Sequence, residues 1–318
     1  MVRYIAKLIV AMTITMFVTI SLAFFVIRLM PNSIFDDPDL PAYTIQLLEE
    51  RMGLHLPLHI QYFNYVTNVF RGDFGLSVII RPRLPVFDVL RERIPITMGI
   101  NIATLFILIP IGIIVGTISA LKKDKLVDNI SSFFVIIWIS VPSFVFASLM
   151  QFTFAGGISA LHIFPTIYNA TATTFGEMAW SLVLPVIALS LGPIAVISRY
   201  LRGELIETMS SEFLLLARTK GLSRRQAIVR HAFRNSCVPL VMIIVPQFTG
   251  IMGGSLIIES IFAIPGMGGI LIFSIFAGDH PLSIAVLLFF TIISLTSLLI
   301  MEILYGIVDP RIRMGGRK

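Results

Sequence analysis

The sequence predicts an all-α membrane protein of six transmembrane helices, with a long outer loop after the first helix. Three observations carry that prediction. Only 13% of the 318 residues are charged, about half the ~25% of a soluble domain. Hydrophobic residues make up 56% and mean hydropathy is +0.92, so a soluble globule of this size would expose more apolar surface than monomers tolerate. Apolar runs long enough to cross ~30 Å of hydrocarbon recur along the chain, and basic residues gather on alternate connections between them. These features exclude a cytosolic enzyme, a secreted domain and a disordered chain. Cys237 is the sole cysteine, which excludes an intrachain disulfide and a cysteine-type zinc cluster.

Residues 1–30 form the expected N-terminal transmembrane helix. Its uncharged stretch 8–27 is too long for a signal-peptide core, and Pro31-Asn32-Ser33 lacks a small-x-small cleavage pattern, so it reads as a retained span. Residues 31–93 read as an extracytoplasmic loop. Residues 94–310 read as a core of five further helices, from the runs 94–121, 129–155, 178–198, 235–258 and 281–301, and 311–318 as a cytoplasmic tail. After Ala155, Gly156-Gly157, Pro165 and the Thr-rich 169–174 mark an outer loop. The run 260–278 carries Pro265-Gly266-Met267-Gly268-Gly269, which a continuous lipid-facing helix would not survive. It reads as a re-entrant or outer-interface segment, because broken backbone at membrane depth belongs beside a cavity or inside protein.

Charge placement supports six spans. With both termini cytoplasmic, the inner segments hold 17 of the 24 Lys and Arg residues. They include Lys122, Lys123 and Lys125, and eight more between residues 199 and 236. The other seven run from Arg28 to Arg93, where acids outnumber them. A seventh span would put the basic C-terminus outside, against the positive-inside rule.

The spans hold almost none of the intramembrane acids and bases that pumps and secondary transporters use. Glu259 and Glu302 lie near span ends and read as interfacial or packing residues. No Walker-type glycine loop, catalytic carboxylate pair or Ser/His/Asp set is present, so the chain is expected not to be an enzyme and to draw any driving energy from a partner. His55 and His59, separated by Pro57, read as surface histidines. Asn169-Ala170-Thr171 reads as a chance sequon.

The cytoplasmic segment 199–236 is the most informative. Ser210 or Ser211 can cap a helix with Glu212 in its first turn, where negative charge suits the helix dipole. Phe213, Leu214, Leu216 and Ala217 supply an apolar face, and Gly221 is placed to end the helix in a left-handed conformation. Ser223-Arg224-Arg225-Gln226 has capping-box form and opens a second helix, whose apolar stripe runs through Ile228, Phe233 and Val238. Helix, glycine and capped helix make a compact elbow joined to two spans. The pattern admits a solvated basic loop, a helix-turn-helix or a docking surface for a cytoplasmic partner.

The stretch from Glu212 to Ser223, continuing through Arg230-His231-Ala232-Phe233-Arg234-Asn235 to Pro239, resembles the cytoplasmic "EAA" loop of ABC importer permeases. It is closest to the oligopeptide/dipeptide/nickel branch and its first-listed permease subunit. Met1-Val2-Arg3-Tyr4-Ile5, Met52-Gly53-Leu54 with Pro57 and Gln61-Tyr62, Gly72-Asp73-Phe74-Gly75-Leu76-Ser77 and Arg93-Ile94-Pro95-Ile96-Thr97 are similar to that branch. So are Glu259 to Gly268, with its E-x-x-F-x-x-P-G-x-G form, and Tyr305 with Asp309-Pro310-Arg311-Ile312-Arg313. Pro31-Asn32-Ser33 departs from the branch's Pro-Gly-Asp-Pro turn, and the loop's usual acid is Leu215 here.

The resemblance implies a type I importer permease fold and a membrane subunit of an ATP-driven, binding-protein-dependent importer, most readily for oligopeptides or dipeptides. Nickel or another small solute is the alternative within the branch; a self-contained secondary transporter or channel, or a passive scaffold, are rivals from other classes. Implied partners are a second permease subunit, two cytoplasmic ATPase subunits, an external substrate-binding protein, the peptide and membrane lipid, with no nucleic acid. No cofactor or metal is expected on this chain, ATP and magnesium belonging to the ATPases. The implied ATPase-docking residues are Glu212, Leu215, Leu216, Ala217, Lys220, Gly221, Leu222 and Ser223. Pro265, Gly266 and Gly268 are the implied gate or pathway bend. Glu212, one turn before Leu215, is placed to offer the missing carboxylate. The implied location is a bacterial or archaeal cell membrane.

Overall fold

The computed structural model describes residues 2–29, 43, 50, 53, 55–155, 161–237 and 239–308, most of them in helices. Pro31-Asn32-Ser33, Met52, Leu54, Gly156-Gly157, Val238 and the Asp309–Arg313 motif lie outside the described residues. The chain divides into two compact units, one of residues 1–97 with 265–295, the other of 98–264 with 296–318. Each is described by itself.

The first unit contains α1 (Val2–Leu29), α2 (Leu58–Phe70), the opening turns of α3 (Val86–Leu121), α11 (Met267–Ala277) and most of α12 (His280–Val308). Helix α1 buries few side chains: Ile20 is inside, whereas Ile9, Val10, Ile14 and Leu22 are exposed, as suits a helix whose solvent is lipid. Ile20 packs with Val69 of α2 and Ile284 and Leu288 of α12, with Tyr65, Val66 and Phe74 around them. The Phe24 ring stacks on Tyr65 and meets Tyr62 edge-on. Part of the expected outer loop is therefore a helix seated on α1.

The second unit is built on α6 (Phe175–Met209), which packs against α4 (Leu126–Ser140), α5 (Ser143–Phe154) and α10 (Val241–Ile261). Thr174 caps α6 by accepting the Glu177 N–H at 3.3 Å. Two glycines of α3 face α6 closely. A Cβ on Gly112 would lie 2.8 Å from Ile197 Cγ2, and one on Gly116 2.7 Å from the Ser198 carbonyl oxygen. This is the small-residue contact by which membrane helices approach.

Helices α1, α3, α6 and α12 are each long and apolar enough to cross a membrane. The stretch 129–155, expected as one span, is not one continuous helix: α4 and α5 meet at a 107° bend. Pro142 has no N–H for the helical ladder, and Val141 before it is extended at φ −100°, ψ 126°, as a residue preceding proline prefers. The helices also outrun the apolar stretches. α3 begins at Val86 and α6 continues to Met209, so Arg199 and Arg202 belong to α6 rather than to a loop. A charge ends lipid exposure without ending the backbone hydrogen-bond ladder. In the run 260–278 the backbone leaves the helix after Ile261 and resumes as α11, only 11 residues long.

Candidate functional site

After α6 the chain turns through Ser210 and Ser211 into α7 (Glu212–Thr219). Ser211 takes the N-cap backbone conformation, but its hydroxyl donates to the Thr208 carbonyl at 2.6 Å and makes no cap. Leu214 is 5% exposed and packs with Ala120, Leu205, Ala227 and Ala232. Successive helical residues are ~100° apart, so burying Leu214 turns its neighbours outward. Leu215 is 63% and Leu216 56% exposed, Ala217 is half-buried, and Glu212 and Lys220 are exposed.

The helix closes in a Schellman motif. The Gly221 N–H donates to the Arg218 carbonyl at 3.0 Å and the Leu222 N–H to that of Ala217 at 3.3 Å. Gly221 has φ +93°, the left-handed backbone expected of it, and Leu222 folds back against the Leu214 cluster. The capping box is present: Ser223 N–H donates to Gln226 Oε1 at 3.0 Å, and Gln226 N–H to Ser223 Oγ at 3.3 Å.

The second helix of the elbow runs as α8 (Arg224–Ala227), a π-helical stretch Ile228–Phe233, and α9 (Arg234–Cys237). The π turn corrects the expected apolar stripe. Ile228 and Phe233 are only half-buried, and the residues fully inside are Ala227, Ala232 and Ser236. The five-residue step from Ala227 to Ala232 follows from the wider turn. Small side chains let the segment lie close, and Ser236 Oγ donates to Thr208 Oγ1 at 3.1 Å. The elbow is thus anchored by Leu214, Leu222 and the two alanines, with Leu215 and Leu216 held outward.

The implied bend is sharply defined. α10 ends in a second Schellman motif, with Ala263 N–H donating to Ser260 O at 3.3 Å and Ile264 N–H to Glu259 O at 2.7 Å. Ala263 is left-handed at φ +52° where glycine is usual. Pro265 and Gly266 then lead into α11. An Arg93 guanidinium N–H donates to the Gly266 carbonyl at 3.4 Å, and the Met267 N–H donates to Thr97 Oγ1 at 2.8 Å. Two motifs about 170 residues apart in the chain, Arg93–Thr97 and Pro265–Gly268, therefore meet. Gly268 lies in the first turn of α11, buried, beyond the bend itself. Glu259 is buried and Glu302 half-buried. The sequon forms a local turn, Asn169 Oδ1 accepting from Thr171 N–H and Oγ1–H at 3.1 and 2.9 Å.

Two features had escaped sequence reasoning. Arg202 of α6 grips Asp128 of α4 with two hydrogen bonds, Nε–Oδ1 at 2.6 Å and Nη2–Oδ2 at 2.7 Å, the bidentate geometry that gives Arg–carboxylate pairs their strength. Asp279, wholly buried between α11 and α12, accepts at Oδ2 from Ser77 Oγ–H at 2.6 Å and from the N–H groups of Val78, Ile79 and Ile80 at 3.1–3.2 Å. Neither pairing follows a local spacing. The only sequence sign was that Ser77 closes the Gly72–Ser77 motif.

Several long apolar helices and an elbow that holds two leucines outward suit a membrane transport subunit, and comparison with known proteins assigns its family. Residues 109–314 match the family described as binding-protein-dependent transport system inner membrane component, and the chain belongs to it. It is the membrane-embedded permease subunit of an ABC importer, in which separate subunits hydrolyse ATP. The chain is 37% identical to the dipeptide transport system permease protein of Lactococcus lactis subsp. cremoris, over 99% of this chain and 100% of the relative. It is 31% identical to the oligopeptide transport system permease protein of Haemophilus influenzae, over 98% and 100%. With the glutathione transport system permease protein of Escherichia coli K12 it shares 28%, over 98% and 99%.

Proposed function

We propose that this permease carries oligopeptides or dipeptides, and that it does so by transmitting the movement of docked ATPases through the 211–236 elbow. The substrate reading is supported by full-length relatives whose names specify dipeptides, oligopeptides and glutathione. In this reading the chain crosses the membrane six times, as α1, α3, the bent α4–α5 pair, α6, α10 and α12, with both termini and the elbow in the cytoplasm. It pairs with a second permease, two ATPase subunits dock from below, and an external binding protein delivers the peptide. The chain itself holds no cofactor.

The observation that carries the coupling role is the pair Leu215 and Leu216, held in solvent on a helix whose inner face is locked. Exposed leucines on a basic cytoplasmic elbow suit an apolar cleft on a partner. Glu212 and Lys220 flank them as rim charges, while Gly221, Leu222 and Ser223 fix the angle to the next helix. When ATP closes the ATPases, a rigid elbow passes the push to α6 and α10 on either side of it. Arg93 and Thr97 then hold Pro265 and Gly266 as the pathway bend, with Gly268 starting the helix beyond it.

Leu215→Asp combined with Leu216→Asp tests this reading. Both positions are exposed, so the variant should reach the membrane at normal levels, lose ATPase subunits on purification and lose peptide uptake at least tenfold. Full ATPase retention with normal uptake would reject the elbow as the docking element.

A further inference from the structure

Within the second unit a cavity of about 210 Å³ opens between the last turn of α3, the middle of α4 and the far half of α6. Its wall includes Ser119, Ser132, Ile136, Ser198, Arg199 and Arg202. At this size it is smaller than the ~300–1,000 Å³ pockets that enclose drug-sized ligands, and too small for a peptide. The chemistry of the wall is that of an anion site. Arg202 spends two of its five N–H groups on Asp128, and Ser132 stands beside the same carboxylate. Arg199, one turn earlier on the same face of α6, is exposed and makes no ion pair with a described residue. Ser119 is 3% exposed, yet its hydroxyl makes no hydrogen bond with a described residue. The charged side chains of the wall itself are the two guanidiniums of Arg199 and Arg202. Asp128 and Asp124 act on Arg202, which leaves the Arg199 side cationic, and the exposed Lys122, Lys123 and Lys125 follow at the same end of α3.

Other features of the wall select the kind of anion. Ile136 is 60% exposed and Phe133, nearby on α4, is 61% exposed. The cavity therefore borders apolar side chains on helices of membrane-spanning character. A free anion has no use for that border, whereas an amphiphile has. Basic pockets between transmembrane helices near the cytoplasmic surface are suited to anionic headgroups.

We propose that this cavity binds the phosphate headgroup of an anionic phospholipid of the inner leaflet. Arg199 supplies the phosphate's cation, Ser119 and the remaining N–H groups of Arg202 supply hydrogen bonds, and the acyl chains run over Ile136 and Phe133. The inference rests on the membrane reading and on placing this end of α6 at the cytoplasmic face.

The test is native mass spectrometry of the full-length permease released from mixed phosphatidylglycerol/phosphatidylcholine micelles, counting lipid on the permease chain whether or not ATPase subunits remain attached. One phosphatidylglycerol should be retained in preference to phosphatidylcholine. Arg199→Gln should lower that retention about fivefold, the worth of one cation near an anionic surface, and Arg199→Lys should keep most of it. Arg199 is exposed, so the fold is not at stake. Equal retention by Arg199→Gln, no preference for phosphatidylglycerol, or displacement of the lipid by millimolar inorganic phosphate would each overturn the proposal. So would absence of lipid from a permease pair whose second chain covers the cavity. The importer reading stands or falls separately, on whether ATPase subunits accompany the chain.

Discussion

Asp279 shows what a single buried carboxylate can organise. One of its oxygens takes four donors, three of them consecutive backbone N–H groups, a concave arrangement suited to negative charge. The loop 77–80 is thereby tied to the turn between α11 and α12. Asp279→Ala would strip the buried Ser77 hydroxyl and three half-buried N–H groups of their acceptor, at a cost of about 1–3 kcal/mol. The expected result is a lower thermal midpoint in detergent and faster proteolysis within 76–85, with Asp279→Asn intermediate. Unchanged values would show the carboxylate to be dispensable. Tyr65 presents the opposite case. Its phenol oxygen is buried without a hydrogen-bond partner among the described residues, and burial pushes its pKa well above the usual tyrosine range. Tyr65→Phe keeps the stacking on Phe24 and removes the orphan hydroxyl, so it should leave stability unchanged or raise it by about 1 kcal/mol, read as an equal or higher thermal midpoint.

At the scale of elements, three helix ends use the same device with different residues. Gly221, Ala263 and Gly278 are all left-handed at φ +93°, +52° and +74°, each followed by a backbone bond reaching five residues back. Only the glycines could be anticipated; Ala263 was not, because alanine carries no sign of φ > 0. At Gly221 a Cβ would meet nothing within 4 Å, so the cost of a side chain there is purely conformational, about 1–2 kcal/mol. Gly221→Ala should therefore leave the permease in the membrane while weakening ATPase retention and uptake, and Gly221→Asn should restore part of both, since asparagine tolerates this conformation. Equal behaviour of glycine, alanine and asparagine in a pull-down of ATPase subunits would show that the elbow angle is immaterial. The bend at Pro142 teaches the same lesson in reverse. Hydropathy over 129–155 was continuous, yet one missing N–H divided the run into two helices.

On the scale of the whole molecule the question is which side each segment faces. The proposed topology places 31–93 outside and 199–236 inside. Ser77 is buried against Asp279 and would make a poor labelling site, whereas Arg71 and Arg225 are exposed. In a Cys237→Ser background, Arg71→Cys should react with an impermeant maleimide added to intact cells, and Arg225→Cys only after the membrane is opened. Reaction of both from outside would defeat the six-span arrangement. The tie between α4 and α6 also acts at this scale. Asp128 and Arg202 bind two helices 74 positions apart in the chain, and the cavity beside them owes its charge to what that pairing leaves over.

Several properties were legible in the residues alone: the membrane class, the elbow with its glycine stop and capping box, and the break near Pro265. Each rests on composition or on chemistry within a few positions, where backbone preference and hydration act without help from the fold. Other properties depended on contacts between distant segments. Leu214 rather than Leu216 faces inward because Ala120, Leu205, Ala227 and Ala232 surround it. Gly112 and Gly116 matter because α6 passes against them. Arg93 and Thr97 acquire a role only when α11 begins beside them, and Asp279 finds its donors two hundred residues earlier in the chain. The physical reason is that a hydrogen bond or a packing contact is decided by distance in space. The chain's local pattern fixes which segments are helical and apolar, but only their packing settles which side chain meets which.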